Sequence, residues 1–326
     1  MQKELNVLTL GVTGNVTQGM IQVLKKQKDV NVNILGACIT EDSIGQYMTD
    51  GFVVSPYAND KNFIPWLIDI CNSKNIDLVL TGVEENIAEI SKNLERLKTE
   101  TKSKFIVADE EQLKIGNDKY LTCKWLKENG CNYPLFASAD NEKETENLVS
   151  EAGFPLIAKP KCGKGSRGVF VINKKEDLSL IDDKAEYVLE ELLGTKEDEY
   201  TVATYTNKKG VFQSAIILKR YLQNGTTVLA ETVENEKIFE ECKKITEKFK
   251  IKGPLNIQLR MHKDKPVCFE LNVRFSGTTP IRNLLGWRDL MAAIGEYVYN
   301  EDDLSSYFEY KKGKVYRVLT PFLVGG

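Results

Sequence analysis

Residues 1–105 alternate short apolar segments with amphipathic ones, and this alternation limits the fold more than any other feature of the sequence. The apolar segments have the length of buried strands and lie at 7–10, 32–37, 52–54, 77–80 and 105–107. Two segments, 63–70 and 87–97, repeat apolar residues at the helical period. Together they predict a parallel α/β sheet. Gly11 and Gly14 follow the first strand without the G-x-G-x-x-G spacing, which favours a tight turn over a dinucleotide site.

From residue 154 onward the pattern changes to pairs of strands. The predicted strands lie at 155–159, 168–172, 187–189, 200–205, 211–220, 255–260, 269–275 and 315–324. Helices are predicted over 109–130, with a new start near Lys119, and over 238–249. The sequence therefore predicts an α/β N-terminal unit followed by an α+β remainder.

The strongest chemical signal is a hairpin predicted over residues 255–275, with its turn near residue 264. Residues two apart on a strand share a face, so one face carries Asn256, Gln258, Arg260, Glu270, Asn272 and Arg274. In this register Gln258 lies opposite Glu270, and Asn256 lies opposite Asn272. Hard oxygen ligands suit Mg²⁺, and a guanidinium beside the ion can neutralise phosphate charge. The alternative is an ordinary solvent-facing strand, against which the low strand preference of asparagine argues.

A second element is the Gly- and Lys-rich segment over residues 159–169. Its glycines let backbone amides approach phosphate oxygens, and its cations are Lys159, Lys161, Lys164 and Arg167. It is not a P-loop, because that spacing needs glycine at Ala158 and Ser or Thr at Gly165. A flap that closes over a triphosphate is favoured over a plain hairpin loop with surface lysines.

A third element is the strand end at Glu190 and the acidic segment that follows it. Backbone groups at an apolar strand end can read an adenine edge, and a carboxylate several residues on can bind ribose hydroxyls. Acidic residues are common after strands, so this element gains weight only together with the other two.

Composition excludes several kinds of site. The only histidine, His262, falls in a predicted turn, which argues against a Ser-His-Asp triad, a histidine zinc site and a histidine base. A net charge of −3 without a basic run argues against nucleic-acid binding. No apolar run approaches the ~18 residues of a membrane span. Seven cysteines without a C-x-x-C pair fit a reduced, cytoplasmic protein.

The three elements, in this order, resemble the ATP-grasp superfamily, in particular the branch like the carbamoyl-phosphate synthase large subunit. Residues 269–277 are similar to the signature E-x-N-x-R-[FL]-S of that family, with Glu270, Asn272 and Arg274 at its fixed positions. The resemblance covers nearly the whole chain. It implies a Rossmann-like pre-ATP-grasp domain over 1–110, followed by two α+β subdomains: a small one with the Gly-rich loop over 111–188 and a large one with the Mg/ATP site over 189–326.

Carried over position by position, the resemblance also implies site residues. The implied ATP contacts are Lys119, Lys159, Gly163, Gly165, Ser166, Gly168, Glu190 and Leu192 beside adenine, and Glu199 on the ribose. The implied Mg²⁺ ligands are Gln258, Glu270 and Asn272, and the catalytic cations are Arg274 and Lys219. Substrate contacts are expected at Arg220, at Arg282, and at Glu84 in the crevice after a strand. The sequence departs from many family members at Gln258, where they carry Asp or Glu, so one or two Mg²⁺ ions are expected, with the second bound less tightly.

The resemblance implies an ATP- and Mg²⁺-dependent ligase that forms an acyl phosphate and ADP and then joins the acyl group to an amine. The synthase has duplicated halves and a glutaminase partner, whereas this chain holds one unit, so a free-standing carboxylate–amine ligase is expected. Its partners would be a small-molecule carboxylate and an amine, without nucleic acid or membrane, and a homodimer stays open. The alternatives are a carboxylating enzyme that uses bicarbonate, an ATP-binding regulatory protein without turnover, and an NAD-dependent oxidoreductase.

Overall fold

The N-terminal sheet has five parallel strands, in agreement with the predicted α/β unit. The computed structural model of the protein describes residues 3–28, 30–163, 165 and 167–318. The strands are β1 (Lys3–Leu10), β2 (Val30–Cys38), β3 (Gly51–Val54), β4 (Leu78–Thr81) and β5 (Lys104–Phe105). Their order is β3-β2-β1-β4-β5, so the connections leave β1 in opposite directions and the carboxyl ends of β1 and β4 form a crevice.

Helices pack against this sheet. They are α1 (Asn15–Lys25), α2 (Gly45–Met48), α3 (Phe63–Ser73), α4 (Glu84–Lys92) and α5 (Leu94–Glu100). The single helix predicted over 87–97 is in fact two, because the chain leaves helical geometry at Asn93. Gly11 has φ +69°, and a Cβ there would lie 2.3 Å from Val83 Cγ2, so the turn after β1 requires glycine.

Two capped helices connect the first sheet to the rest of the chain. They are α6 (Glu110–Asn117) and α7 (Lys119–Glu128). Asp109 begins α6 with a capping box, and the Asp118 carboxylate accepts from the Leu121 amide at 3.0 Å to begin α7. The predicted helix start at Lys119 is confirmed, and Lys119 is thereby fixed in the first turn of α7.

A four-stranded antiparallel sheet follows, with the order β6-β9-β7-β8. Its elements are β6 (Phe136–Ser138), α8 (Glu142–Ala152), β7 (Leu156–Pro160), β8 (Phe170–Ile172) and β9 (Tyr187–Glu191). The Gly-rich segment joins β7 to β8, as predicted, and Lys159 lies on β7 beside the central strand β9.

The largest sheet has six strands in the order β14-β13-β10-β11-β12-β15, all antiparallel. They are β10 (Glu199–Thr206), β11 (Phe212–Gln223), β12 (Thr226–Thr232), β13 (Gly253–His262), β14 (Lys265–Asn272) and β15 (Lys314–Tyr316). One face packs on α9 (Glu236–Phe249) through a core that includes Val202, Ile217 and Ile257. On the other face, the buried residues Ala203 and Ile216 pack in one cluster with α1.

The last described elements are α10 (Thr279–Leu285), α11 (Asp289–Tyr297) and β15. Short 3₁₀ turns lie at Lys175–Leu180, Lys184–Glu186, Lys196–Asp198 and Ser305–Tyr307. Of the strand predicted over 315–324, β15 covers the start, and residues 319–326 lie outside the described part. Among the residues described, no helix has the length and apolar character needed to cross a bilayer.

Candidate nucleotide site

The β13–β14 hairpin has the predicted pairing at the residues of the site, beyond a register shift between Gln258 and Leu259. Gln258 pairs with Glu270 and Asn256 pairs with Asn272, around a turn in which Asp264 has φ 62°. Directly opposed residues share a face, so these side chains lie on the face of the sheet opposite α9. We call this face the cleft face, and it carries Glu199, Arg220, Gln258, Arg260, Glu270 and Asn272.

A pocket brings the signature residues together with three other parts of the chain. Its polar and charged lining comes from the first turn of α4, the α6–α7 junction, the Gly-rich loop and the end of β14: Glu84, Asn117, Lys119, Gly163, Glu270, Asn272 and Arg274. Six of these seven were predicted as site residues from the sequence. Residues that lie far apart in the chain therefore share one cavity with both signs of charge.

Arg274 lies just beyond the end of β14 and is held by the N-terminal unit. Its Nη2 donates to Glu84 Oε1 at 2.7 Å, across 190 residues of sequence, and its Nη1 donates to the Phe275 carbonyl at 3.1 Å. The Arg274 side chain is 13% exposed, so it is partly screened from solvent while still reaching the pocket. The guanidinium is thus oriented before any ligand is bound.

Glu270 and Asn272 provide the oxygens that a hard cation needs. The Asn272 amide donates to Glu270 Oε1 at 3.1 Å, which fixes both side chains at the pocket wall. Within the described ranges, no group of three or more His, Cys, Asp or Glu could hold a metal ion. This donor set fits Mg²⁺, which keeps waters and binds through one or two carboxylates together with substrate phosphates.

Lys159 reaches the cleft from the four-stranded sheet. Its ammonium lies 2.6 Å from Glu190 Oε2 and 4.9 Å from the centre of the Phe269 ring. Glu190 is fully buried, and the Cys123 thiol donates to its other oxygen at 4.0 Å. Burial, followed by the nearby Glu190 charge, raises the pKa of Cys123 well above its usual value. The Glu190 carboxylate therefore positions Lys159, and the adenine contacts predicted at Glu190 and Leu192 stay predictions.

Lys119 and the Gly-rich loop approach each other directly. The Lys119 ammonium donates to the Gly163 carbonyl at 2.9 Å, and its amide donates to the Lys161 carbonyl at 2.9 Å. Gly168 has φ +70°, and a Cβ there would lie 2.9 Å from the Tyr187 hydroxyl. Gly165 lies in the same loop, whereas the predicted contacts Lys164 and Ser166 fall outside the described residues. Lys119 therefore lies where the pocket meets the Gly-rich loop.

Glu199 sits between two arginines. Its Oε1 accepts from Arg220 Nε at 2.9 Å and Nη2 at 2.6 Å, and its Oε2 accepts from Arg260 Nε at 3.0 Å and Nη2 at 2.7 Å. Burial acts to raise the pKa of Glu199, but Arg220 and Arg260 outweigh it and hold the pKa below its usual value. With both oxygens engaged, the ribose contact predicted for Glu199 has strong competitors and stays a prediction.

Two predicted site residues do not reach the cleft, and both predictions are corrected. Lys219 pairs across the ladder with Tyr200, on the face that packs against α9, and its ammonium lies 3.7 Å from Asp198. Neighbouring residues on a strand face opposite ways, so Lys219 cannot accompany Arg220 into the cleft. Arg282 is 1% exposed and bound to Asp289, which makes it a structural residue rather than a substrate contact.

Two further residues contribute to the cleft, although the sequence analysis assigned neither of them a role in the site. Arg260 donates to the Leu193 carbonyl at 3.2 Å as well as to Glu199, and its guanidinium lies 6.0 Å from the Phe269 ring. Because side chains alternate along β13, Arg260 lies on the same face as Gln258, and the sequence pattern could have predicted that it belongs to the site. Phe269 had none, because it sits at a register shift between β13 and β14 that alternation cannot reveal.

The assembled site can bind a polyphosphate with a divalent ion. Positioned cations approach from three directions: Lys119 from α7, Lys159 from β7 and Arg274 from the signature segment. Glu270 and Asn272 face the same cavity as Lys119 and Arg274. Preorganised charges of this kind stabilise phosphoryl transfer without covalent help from the protein.

Comparison with known proteins identifies similar chains. Residues 116–278, half of the chain, match the family model of the ATP-grasp domain. The carbamoyl phosphate synthase large chain of Pseudothermotoga lettingae is 26% identical over 193 residues, which cover 54% of this chain and 17% of that relative. The chain thus corresponds to less than a fifth of that relative's length.

Solved structures share the architecture at low identity. The N5-carboxyaminoimidazole ribonucleotide synthetase of Thermotoga maritima has a TM-score of 0.68 and 20% identity, over 93% of this chain and 78% of that one. The biotin carboxylase of Campylobacter jejuni has a TM-score of 0.71 and 14% identity, over 94% of this chain and 74% of that one. At these identities the likeness concerns the fold.

Proposed function

Because the chain belongs to the ATP-grasp family, we propose that it is an ADP-forming ligase that activates a carboxylate with Mg-ATP and transfers the acyl group to an amine. The observation that carries this proposal is the pocket in which Lys119, Glu270, Asn272 and Arg274 meet. Three of these residues come from the signature and one from a helix more than a hundred residues earlier. An ordinary polar strand would give no reason for such convergence.

The proposed reaction has two steps. A carboxylate oxygen attacks the γ-phosphorus, the bond to the β-phosphate oxygen breaks, and ADP leaves with its electron pair. The amine then attacks the acyl carbon and phosphate departs, with loss of one amine proton to solvent. When bound, Mg²⁺ would neutralise phosphate charge, held by Glu270 and Asn272. Arg274 and Lys119 orient the transferred group, and Lys159 holds the phosphates on the side of the four-stranded sheet.

The N-terminal unit supplies the other wall of the proposed site. Glu84 reaches the pocket from the first turn of α4 and lies beside Arg274. We propose that the acceptor amine enters through the crevice between β1 and β4, beside the Glu84–Arg274 pair. The units 1–110, 111–188 and 189–326 are the proposed domains. Seven free thiols favour a reducing compartment such as the cytoplasm.

Release of ADP against pooled carboxylates and amines tests this function. The expected result is ADP formation that depends on one carboxylate pool and accelerates with one amine pool, and that Glu270→Ala abolishes. Lys312→Met is the matched control, since Lys312 pairs with Glu234 on the surface. Mg-ATP binding without turnover in any pool would instead favour a regulatory protein.

A second candidate uses bicarbonate as the carboxylate. It deserves a separate arm of the same assay because biotin carboxylase is among the structures that share this fold. Formation of ADP that depends on bicarbonate and not on the other carboxylate pools would select this candidate over the ligase.

A further inference from the structure

We propose that the Arg220 guanidinium occupies the place of a second divalent cation in the cleft, so that the chain binds one Mg²⁺ with each nucleotide. This inference rests on the proposed function, because it concerns how the same site meets the nucleotide. It gives Gln258 a role as a hydrogen-bond partner of Arg220 rather than as a metal ligand.

The contact between Arg220 and Gln258 is the first support. The Arg220 Nη2 donates to Gln258 Oε1 at 2.7 Å, and Gln258 lies directly opposite Glu270 across the hairpin. A divalent ion shared between Gln258 and Glu270 would need the same amide oxygen. The ion and the guanidinium would then lie within a few ångströms of each other, where like charges repel strongly in a partly buried site.

Moving the Arg220 side chain out of the cleft would also cost free energy. Arg220 is 8% exposed, and its Nε and Nη2 both bind Glu199, which is itself 5% exposed. Withdrawing Arg220 would take a partner from a buried carboxylate, which is costly. The guanidinium is therefore a fixed part of the cleft face.

The charge of this cluster fits the role. Arg220 and Arg260 carry two positive charges against the single negative charge of Glu199, so one positive charge stays unbalanced. That charge lies on the same sheet face as Glu270, where nucleotide phosphates would approach a metal ion. A permanent guanidinium there neutralises phosphate charge without needing coordination.

The carboxylates of the cleft point to a single ion as well. Of the four described above, Glu84, Glu190 and Glu199 each bind a cationic side chain. Glu270 instead accepts a hydrogen bond from the Asn272 amide. Glu270 is thus the one of these four that no cationic side chain of the described residues neutralises, and a second ion would have to share it next to the Arg220 guanidinium.

Counting bound Mn²⁺ by electron paramagnetic resonance tests the inference without catalysis. Protein and AMP-PNP are mixed at equal concentrations well above their dissociation constant, and free Mn²⁺ is measured during titration, with AMP-PNP alone as the reference. We expect one Mn²⁺ per chain for the wild type and for Lys314→Met, whose cation pairs with Glu231 at 3.1 Å on the far side of the sheet.

The double variant Arg220→Met with Gln258→Glu removes the guanidinium and adds a carboxylate. We expect it to take up a second Mn²⁺ with at least about tenfold higher affinity than the wild type, since both changes favour a cation. Circular dichroism establishes that the variant is folded, and Arg220→Lys, which keeps the charge, should retain one ion.

Two Mn²⁺ in the wild type would overturn the inference and leave the ligase proposal standing. A folded double variant that still binds one ion would also overturn it, because Arg220 would not be what excludes the second ion. Failure of the wild type to bind AMP-PNP at all would overturn the proposed function and the inference together.

Discussion

Replacing Arg282 by Met should strongly destabilise the protein while leaving the nucleotide pocket intact. Arg282 Nε donates to Asp289 Oδ1 at 3.0 Å, Nη2 binds the other oxygen, and Nη1 donates to Ser276 and Thr278. Both members of the ion pair are at most 1% exposed. Removing the arginine leaves Asp289 buried without its counter-charge.

The magnitude follows from that burial. Removing one partner of a buried ion pair costs about 3–5 kcal/mol, far more than the intact pair contributes relative to apolar residues. At about 2–4 °C per kcal/mol for a chain of this size class, the melting temperature should fall by on the order of 10 °C. Thermal unfolding followed by circular dichroism measures the shift, and Lys312→Met should leave it nearly unchanged because exposed pairs contribute little.

A double-mutant cycle identifies the interaction itself. Asp289→Asn should also destabilise, and combining it with Arg282→Met should cost less than the sum, with a coupling free energy of about 2 kcal/mol or more. Normal stability of Arg282→Met together with impaired use of the acceptor amine would refute this reasoning. That result would restore the substrate role expected from the sequence.

Three further outcomes are expected. Lys119→Met should weaken Mg-AMP-PNP binding roughly 10–100-fold by calorimetry, since one charge-assisted hydrogen bond is lost, and unchanged affinity would remove Lys119 from the site. Of the seven thiols only that of Cys162 is exposed, so it alone should react rapidly with a thiol reagent in the native protein. Mg-AMP-PNP should slow the reaction of Cys162. Equal reaction rates with and without nucleotide would contradict closure of the loop. The pKa of Glu199 is depressed in the folded protein, so the stability that Glu199 contributes is present above pH ~4.5 and is lost as the pH falls further. Glu199→Gln should therefore flatten the fall in melting temperature between pH ~5 and ~3. An unchanged slope would contradict the pairing of Glu199 with Arg220.

The hairpin shows how far local pattern reaches. The pairing of Gln258 with Glu270 was predicted correctly from the alternation of side chains and a turn near residue 264. It also depends on a register shift at Phe269, which the alternation did not reveal. The parallel N-terminal sheet followed in the same way from alternating strands and helices. Both features depend on contacts between segments that are close in sequence or repeat with a fixed period.

The wrong site assignments concern residues whose position depends on the direction of the side chain or on contacts with distant parts of the chain. Lys219 and Arg220 were assigned to one cleft although neighbours on a strand face opposite ways. The burial of Arg282 depends on its ion pair with Asp289 in the next helix. Arg274 and Glu84 are 190 residues apart in the sequence, and their pairing depends on how the N-terminal unit packs against the rest of the chain. No local pattern encodes such pairings, because the same residue types occur on solvated surfaces.

A structure of the protein with AMP-PNP and Mg²⁺ tests the central claim most directly. The account predicts the triphosphate in the pocket between Lys159 and the β13–β14 hairpin, with the γ-phosphate on Arg274 and the ion on Glu270. A nucleotide bound instead at the Gly11 turn of the N-terminal sheet, with Glu270 and Arg274 touching only water, would contradict it.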